Sequence, residues 1–231
     1  MKQRRASSTL ATIASAALKA GLPALWLLSA GAAHAQATPL KAGDLTVRLG
    51  AAGVLFNSGG KFKVAGQPLP GADLKASDSV TAAAEVDYSV TRALSLSLTV
   101  GFPPKTHADG RGVLAPVGRL GEIRYGPAAA LVKYHFSGLG PVQPWVGGGA
   151  TRMSIFSNTD GAVQNLKVDG HWGSVLQVGT DVMLTPKWGL YTSATRMFLH
   201  TNGAGSFSGL PITARIKLDP TILQGGLAYR F

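Results

Sequence analysis

Apolar and polar side chains alternate at every second position in several segments of this chain. In the clearest segment, 94–102, Leu, Val and Phe occupy the even positions, and Ser and Thr occupy most of the odd ones. Because successive side chains of a β-strand point to opposite faces, this period predicts strands with one apolar and one polar face. Eight such segments can be counted, with ambiguous facing in the fifth and seventh: 45–53, 80–89, 94–102, 128–136, 145–155, 176–184, 188–198 and the stretch that ends at Phe231.

The connections between these segments alternate between short and long. The short ones are hairpin-sized, at 91–93, 137–141 and 185–187. The long ones lie near 56–78, 103–121, 157–171 and 199–219. This asymmetry predicts an all-β fold, an eight-stranded antiparallel transmembrane β-barrel with long extracellular loops and short periplasmic turns, since a soluble barrel has no reason to segregate its loops.

The last segment supports the barrel. Its alternation places Leu227, Tyr229 and Phe231 on one apolar face, and the side chains of Gln224, Ala228 and Arg230 on the inward face. A C-terminal amphipathic strand of a soluble sandwich is the alternative. We expect Leu227, Tyr229 and Phe231 to form the assembly signal that the barrel-assembly machinery reads.

Aromatic residues cluster at the predicted strand ends. Those at the periplasmic ends are Tyr88, Tyr134, Phe136, Trp145, Trp188, Tyr229 and Phe231. Those at the outer ends are Phe102, Tyr125, Phe156 and Trp172. Two aromatic girdles are typical of a barrel in the outer membrane, whereas a soluble barrel scatters Trp and Tyr through its core.

The first 35 residues have the features of a secretory signal peptide. Basic residues without any acid precede a short apolar segment, 22–28, and Ala33-His34-Ala35 is an A-x-A cleavage site. The apolar segment is too short for a membrane anchor. We therefore expect a signal peptide at 1–35 and an outer-membrane β-barrel at 36–231.

Composition limits the remaining possibilities. The chain is 45% hydrophobic and 14% charged, and it has no Cys, which excludes a disulfide and a thiolate metal site. Its net charge of +11 does not indicate a nucleic-acid partner. We expect loop cations to face the phosphates of outer-membrane lipid, in particular lipopolysaccharide, with these residues as candidates: Lys61, Lys63, Lys75, Lys105 and Arg111.

Several short motifs in order resemble the outer membrane protein W (OmpW) family. They are Gly101-Phe102-Pro103-Pro104, Leu120-Gly121-Glu122, Gly126-Pro127-Ala128, Lys133-Tyr134-His135-Phe136, the stretch Gln143 to Gly149, Asp219-Pro220 and the terminal Gly226 to Phe231. The match runs from about 43 to 231. The resemblance implies an eight-stranded barrel with a narrow, largely apolar interior, associated with the entry of small hydrophobic compounds.

Charged residues on predicted inward faces are candidates for a plug. An eight-stranded barrel is barely wide enough for side chains to fill, and buried charges must be paired. We expect Arg48 to pair with Glu85 or Asp87, and Lys133 or Arg196 to pair with Asp181. An ion path is the alternative. Glu85 and Asp87 could also be interpreted as a carboxylate pair for acid/base chemistry, but balance of the nearby basic charges explains them better.

Catalysis and metal binding are not expected. His107 and His200 lie in predicted outer loops and His135 near a periplasmic turn, without a Ser–His pairing on a lipid-facing strand end or ligand spacing on one strand face. We therefore expect no enzyme activity, no metal and no cofactor.

The function expected from these features is passive uptake of small hydrophobic molecules, with lateral release into the membrane. The expected solute path uses apolar residues near the outer side: Phe56, Phe62, Val64, Leu69, Phe102, Pro103 and Pro104. The two prolines cannot donate ladder hydrogen bonds, which favours a break between strands. A closed structural or partner-binding barrel with a plugged lumen is the alternative, and an enzyme acting on lipid comes third. We expect a monomer.

The first prediction concerns export. N-terminal sequencing of the outer-membrane fraction should read Gln36 or a near neighbour, because the basic start and Ala33-His34-Ala35 direct cleavage there. A chain that retains Met1, or that fractionates as a soluble protein, contradicts the prediction.

Overall fold

The computed structural model describes residues 39–231. The expected signal peptide at 1–35 and its cleavage site before Gln36 lie outside the described residues. Within residues 39–231, no helix is long and apolar enough to span a membrane.

Eight long strands form a closed antiparallel barrel. They are β1 (Leu45–Leu55), β5 (Ser79–Ser89), β6 (Leu94–Gly101), β8 (Arg119–His135), β9 (Val142–Asp160), β11 (Trp172–Met183), β12 (Trp188–Phe198) and β15 (Thr221–Arg230). Each pairs with its neighbour in the order β1-β5-β6-β8-β9-β11-β12-β15, and β15 pairs with β1 to close the ring. The eight strands match the eight segments predicted from the alternation.

The long extracellular connections are present as predicted, but they are largely built of further strands, which the sequence pattern did not indicate. The additional strands are β2 (Gly59–Val64), β3 (Gln67–Pro68), β4 (Ala72–Ala76), β7 (Lys105–Gly112), β10 (Gln164–Val168), β13 (His200–Phe207) and β14 (Leu210–Lys217). A short 3₁₀ turn lies at Ala115–Val117. Strands β4 and β7 continue the barrel sheet beside β8, and the other five form a second sheet in the order β10-β13-β14-β2-β3. The barrel wall therefore extends beyond the membrane on the extracellular side.

One exposed turn of this extension is held by a carboxylate. The side-chain oxygens of Asp160 accept hydrogen bonds from the backbone N–H groups of Leu166 and Asn165 at 2.9 and 2.8 Å. These two donors favour the charged form and hold the pKa of the Asp160 carboxyl below its usual range. The carboxylate therefore keeps its hydrogen bonds into mildly acidic solution and loses them only as the pH falls through that lowered value.

The inside and outside of the barrel differ as the alternation predicts. Large apolar side chains such as Leu96, Leu98, Val132, Leu176 and Leu227 are about half exposed on the outer surface, where lipid covers them. Inside, apolar residues form two clusters. One fills the upper barrel, around Tyr125, Met153 and Met197, and the other fills the extracellular extension, around Phe62 and Leu120.

The aromatic girdles are present with two exceptions. Trp188, Tyr229 and Phe231 form a row of edge-to-face contacts at the periplasmic end, with ring centroids 4.6 and 4.7 Å apart. Trp145 and Tyr125 were expected in the girdles, but Trp145 is only 1% exposed and Tyr125 4%, because both side chains point into the barrel. Trp145 lies in the fifth predicted strand, whose Gly-rich pattern left its facing ambiguous.

The second prediction tests the assembly signal. Phe231 is 65% exposed, so loss of its ring removes the contact with Tyr229 but little buried area, and its backbone N–H keeps the bond to the Leu45 carbonyl at 2.9 Å. We expect Phe231→Ala to reduce the amount of heat-modifiable folded barrel in cells while leaving refolding in detergent much less affected.

Phe198→Ala is the matched control, because Phe198 is another exposed aromatic side chain, 41% exposed, at the outer end of β12. It should not reduce assembly in cells. If Phe231→Ala reduces the amount of folded barrel equally in cells and in detergent, Phe231 matters for stability alone.

Candidate functional site

A buried ion cluster lies in the periplasmic half of the lumen. The Arg48 guanidinium donates to both oxygens of Asp181, from Nε at 2.8 Å and from Nη2 at 2.6 Å, and its Nη1 contacts Glu85 at 2.9 Å and also Asp87. Lys133 Nζ contacts Glu85 at 2.5 Å and Asp87 at 3.2 Å. All five side chains are 3% exposed or less. They come from β1, β5, β8 and β11, so the cluster ties the wall together across the lumen.

The pairing differs in part from the prediction. Arg48 contacts Glu85 and Asp87 as expected, but it also takes Asp181, which was assigned to Lys133 or Arg196. Arg196 lies outside the lumen, with its Nη1 donating to Thr221 at 2.8 Å and its guanidinium 5.9 Å from the Phe198 ring. The inward residues of β12 are at odd positions, such as Thr195 and Met197. The ambiguous phase of this strand led to the error.

An aromatic side chain lies against the cluster. The Trp145 ring centroid is 3.9 Å from Lys133 Nζ and 5.4 Å from Arg48 Cζ, which places both cations in contact with its π-system. Two glycines make room for this layer. A Cβ at Gly179 would lie 2.4 Å from the Trp145 ring, and a Cβ at Gly147 would lie 2.7 Å from Cγ of Lys133. Glycine at these two positions therefore allows the ring and the lysine stem to pack directly on the barrel wall.

A narrow lumen cavity lies above the ion cluster, with about 440 Å³ of space between its lining atoms when its open part is included. Its floor includes Gln177, whose Nε2 donates to Glu85 at 3.1 Å, and its upper lining is apolar, with Val54, Leu131 and Met197. Gly101 and Pro127 also line it. The cavity therefore reaches the barrel wall where β6 ends beside β8.

The hydrogen-bond ladder between β6 and β8 is interrupted at this point. Regular pairing ends at Val100 and Ala128, and resumes only where the N–H of Tyr125 reaches the carbonyl of Pro104 at 3.4 Å. Pro127 has no N–H to donate. On the other side of β6, Phe102 remains bonded to β5, with its N–H donating to the Ala82 carbonyl at 2.8 Å and its carbonyl accepting from the Thr81 hydroxyl at 2.7 Å.

The exposed ring of Phe156 covers this interruption from outside. A Cβ at Gly126 would lie 2.6 Å from that ring and 3.6 Å from Pro103. We call the interruption between Gly101–Pro103 and Gly126–Pro127 the wall break.

A second cavity lies in the extracellular extension and encloses about 780 Å³ together with its mouth. Apolar side chains dominate its lining, among them Phe56, Phe62, Ile212, Leu166 and Ile216. Between the two cavities lies a layer of the upper core that includes Tyr125 and Met153, and Phe56 contacts the Tyr125 ring edge-on at 5.9 Å.

The residues predicted for the solute path separate into three groups. Phe56 and Phe62 line the outer cavity, while Val64 and Leu69 pack on the cluster behind Phe62. Phe102, Pro103 and Pro104 line neither cavity. The Phe102 side chain is 67% exposed on the outer surface, because it occupies an outward position at the end of β6.

Sequence reasoning missed Gly101, Pro127 and Phe156 as neighbours of an opening. Gly101 and Pro127 were noticed only as parts of the family motifs. The Pro127 position inside an alternating strand was the available signal, since proline is confined to edges and bulges of a sheet.

The third prediction tests the ion cluster. Arg48→Met should lower the free energy of unfolding of the folded barrel by roughly 3–5 kcal/mol, because it removes the guanidinium that donates to both oxygens of Asp181. Asp181→Asn should cost less, because Arg48 keeps its contacts with Glu85 and Asp87. The double variant should cost less than the sum of the two. Urea unfolding in lipid vesicles measures these values, and additive costs would show that the two side chains do not interact.

Comparison with known proteins agrees with this architecture. A family profile described as the OmpW family matches residues 41–231. The chain is 30% identical over 172 residues to outer membrane protein AlkL of Ectopseudomonas oleovorans, covering 74% of this chain and 75% of that protein. It is 29% identical over 186 residues to the dibenzothiophene metabolism operon protein PahQ of Pseudomonas aeruginosa, covering 80% of this chain and 88% of that protein.

A similar fold has been solved by crystallography. The outer membrane protein OprG from Pseudomonas aeruginosa superimposes with a TM-score of 0.78 at 22% identity, covering 83% of this chain and 97% of that chain. This likeness concerns the fold, whereas the family match spans all eight barrel strands and their extracellular extension. The chain therefore belongs to the OmpW family of β-barrel proteins and is located in the outer membrane.

Proposed function

We propose that this barrel is a passive uptake path for small hydrophobic molecules, which enter from outside and leave sideways into the membrane. The observation that carries the proposal is the lumen cavity that ends on the ion cluster below and reaches the wall break at Gly101 and Pro127. A solute in this cavity has a charged floor beneath it and a gap in the wall beside it. No catalytic step is part of the proposal.

Entry begins at the outer cavity. Its apolar lining takes a hydrophobic solute out of water, a transfer that is favourable by roughly 25 cal/mol for each Å² of apolar surface buried. Passage to the lumen cavity requires the core layer to move. Met153 and Met197 belong to that layer, and their unbranched side chains adapt to irregular shapes more readily than other apolar residues.

Exit towards the periplasm is opposed by the ion cluster. Passage through it would separate Arg48 from Asp181 and Lys133 from Glu85, and each separated charge would lie in a medium of low polarity. Exit through the wall break requires displacement of one exposed ring, Phe156, and breaks no regular ladder hydrogen bond between β6 and β8. Lateral release is therefore the less costly route.

The names of the relatives agree with a hydrophobic solute. PahQ is named for an operon of dibenzothiophene metabolism, and dibenzothiophene is an apolar aromatic compound. We extend this class of solute to the present chain and not the individual compound.

The fourth prediction closes the wall break reversibly. A Cβ at Gly101 would lie 3.3 Å from Cγ of Pro127, so Gly101→Cys combined with Pro127→Cys brings two thiols within disulfide reach. The chain has no other Cys to interfere. Uptake of phenanthrene, followed by its fluorescence in cells, should fall towards that of cells without the protein when the pair is oxidised, and should recover after reduction.

Leu98→Cys with Ala130→Cys is the matched control, because these residues face each other in the unbroken ladder of the same two strands. Its oxidation should leave phenanthrene uptake unchanged, and a small sugar should enter at the same low rate in every variant. Phenanthrene uptake that is indifferent to the 101–127 crosslink contradicts lateral release. Uptake no faster than in cells without the protein favours the closed structural barrel.

A further inference from the structure

The second sheet has two faces of opposite character. Inward side chains of β2 and β14, such as Phe62, Ile212 and Ile216, line the outer cavity. The outward face carries five exposed cations, which we call the cationic face: Lys61, Lys63, Lys167, Arg215 and Lys217. None of the five strands of this sheet contains an Asp or a Glu.

Like charges lie directly opposite each other on this face. Arg215 of β14 faces Lys61 of β2 across the ladder, and Lys63 follows Lys61 two residues later on the same side. Directly opposed residues have Cβ atoms about 5 Å apart, and like charges at that separation destabilise a sheet. Within residues 39–231, Lys61, Lys63, Lys167 and Arg215 have no carboxylate within ion-pair distance. Lys217 is the exception, since it contacts Asp219 at 3.1 Å.

The remaining extracellular strands are arranged differently. On β4 and β7, Asp73 lies opposite Arg111 and Lys75 lies opposite Asp109. Lys105 contacts Glu122 at 3.5 Å. Most cations of that side therefore have acids across the ladder or within reach, and Arg124, which lies opposite Lys105, is an exception. Unbalanced positive charge is concentrated on the cationic face, where four of the five cations have no such partner among residues 39–231.

The cationic face stands directly above the lipid-covered wall. Phe198 ends β12 at the outer aromatic girdle, and His200, which begins β13, lies opposite Lys217. At about 3.3 Å per residue, Lys217 lies roughly 7 Å beyond Phe198, and Arg215 with Lys61 roughly 13 Å beyond it. Phosphate groups of the outer-leaflet glycolipid occupy this level, where its sugar headgroup meets the acyl chains.

We propose that the cationic face is a docking surface for the phosphorylated headgroup of lipopolysaccharide. Arg215 presents a planar fork that matches two phosphate oxygens, and Lys61 and Lys63 add point charges beside it. A bound phosphate converts the repulsion between Arg215 and Lys61 into two attractions. The site requires no movement of the sheet, because the side chains already point outward from paired strands.

The sequence suggested lipopolysaccharide contacts for Lys61, Lys63, Lys75, Lys105 and Arg111. The fold separates this set, since Lys61 and Lys63 belong to the cationic face and the other three have acids opposite or in contact. Lys167, Arg215 and Lys217 join the face because strands distant in the sequence pair there. This assignment is independent of the uptake path, which uses the opposite face of the same sheet.

The fifth prediction compares two variants that remove the same charge from the full mature barrel. Lys61→Gln with Arg215→Gln should weaken binding of rough lipopolysaccharide to the detergent-folded protein roughly ten-fold or more, through loss of charge-assisted contacts, in buffer without divalent cations. Lys75→Gln with Arg111→Gln should bind as the wild type does. Dephosphorylated lipopolysaccharide should bind the wild type as poorly as intact lipopolysaccharide binds the first variant.

Thermal unfolding with and without lipopolysaccharide tests the proposal even if one double variant folds poorly. Without lipopolysaccharide, Lys61→Gln alone should unfold at the same or a higher temperature than the wild type, because it relieves repulsion from Arg215. Added rough lipopolysaccharide should raise the unfolding temperature of the wild type by more than that of Lys61→Gln. Three results would overturn the proposal. The two double variants could lose binding to the same extent, or dephosphorylated lipopolysaccharide could bind the wild type as well as the intact form does. Phosphatidylglycerol vesicles could also compete for the protein as well as lipopolysaccharide does.

Discussion

The buried ion cluster around Arg48 is the interaction on which the rest of this barrel depends. Eight strands enclose a lumen that side chains just fill, so a charge that points inward must find its partner within the lumen. The Arg48 guanidinium contacts three carboxylates, two on β5 and one on β11. Lys133, on β8, contacts the two on β5. The contacts join β1 to its neighbour β5 and to β11, and β5 to β8, so they link both neighbouring and more distant strands in the periplasmic half of the lumen.

Concentration of the charge at one end leaves the other end apolar. Above Gln177 most inward positions are occupied by Val, Leu, Ile, Met and Ala, with scattered Thr, so the cavities there are lined mainly by apolar groups. An apolar cavity that ends on a charged floor needs an opening elsewhere for any through path. In the proposed uptake path the wall break supplies this opening, at a point where Pro127 has no N–H that a continuous ladder would pair.

Much of this architecture could be predicted from alternation alone. The eight strands, the inward positions of Arg48, Glu85, Asp87, Lys133 and Asp181, and the short turns follow from a period of two, since one face meets lipid and the other the lumen. The pairing of Arg48 with Glu85 and Asp87 was predicted, but its contact with Asp181 was not, because pairing between distant strands depends on their stagger around a closed ring. Arg196 and Trp145 were misplaced for a related reason: their strands are rich in small residues, which suit either face.

The extracellular strands were interpreted as loops because their alternation is short and interrupted by Gly and Pro. Their pairing matters for both proposals. Loops cover a barrel mouth, whereas paired strands continue its wall through the charged headgroup layer, and the period of two then gives that wall an apolar inner face and a cationic outer face. A hydrophobic solute meets its main barrier in that layer. A rigid wall that binds phosphates outside and encloses apolar space inside would carry the solute past the barrier without exposing it to the headgroups.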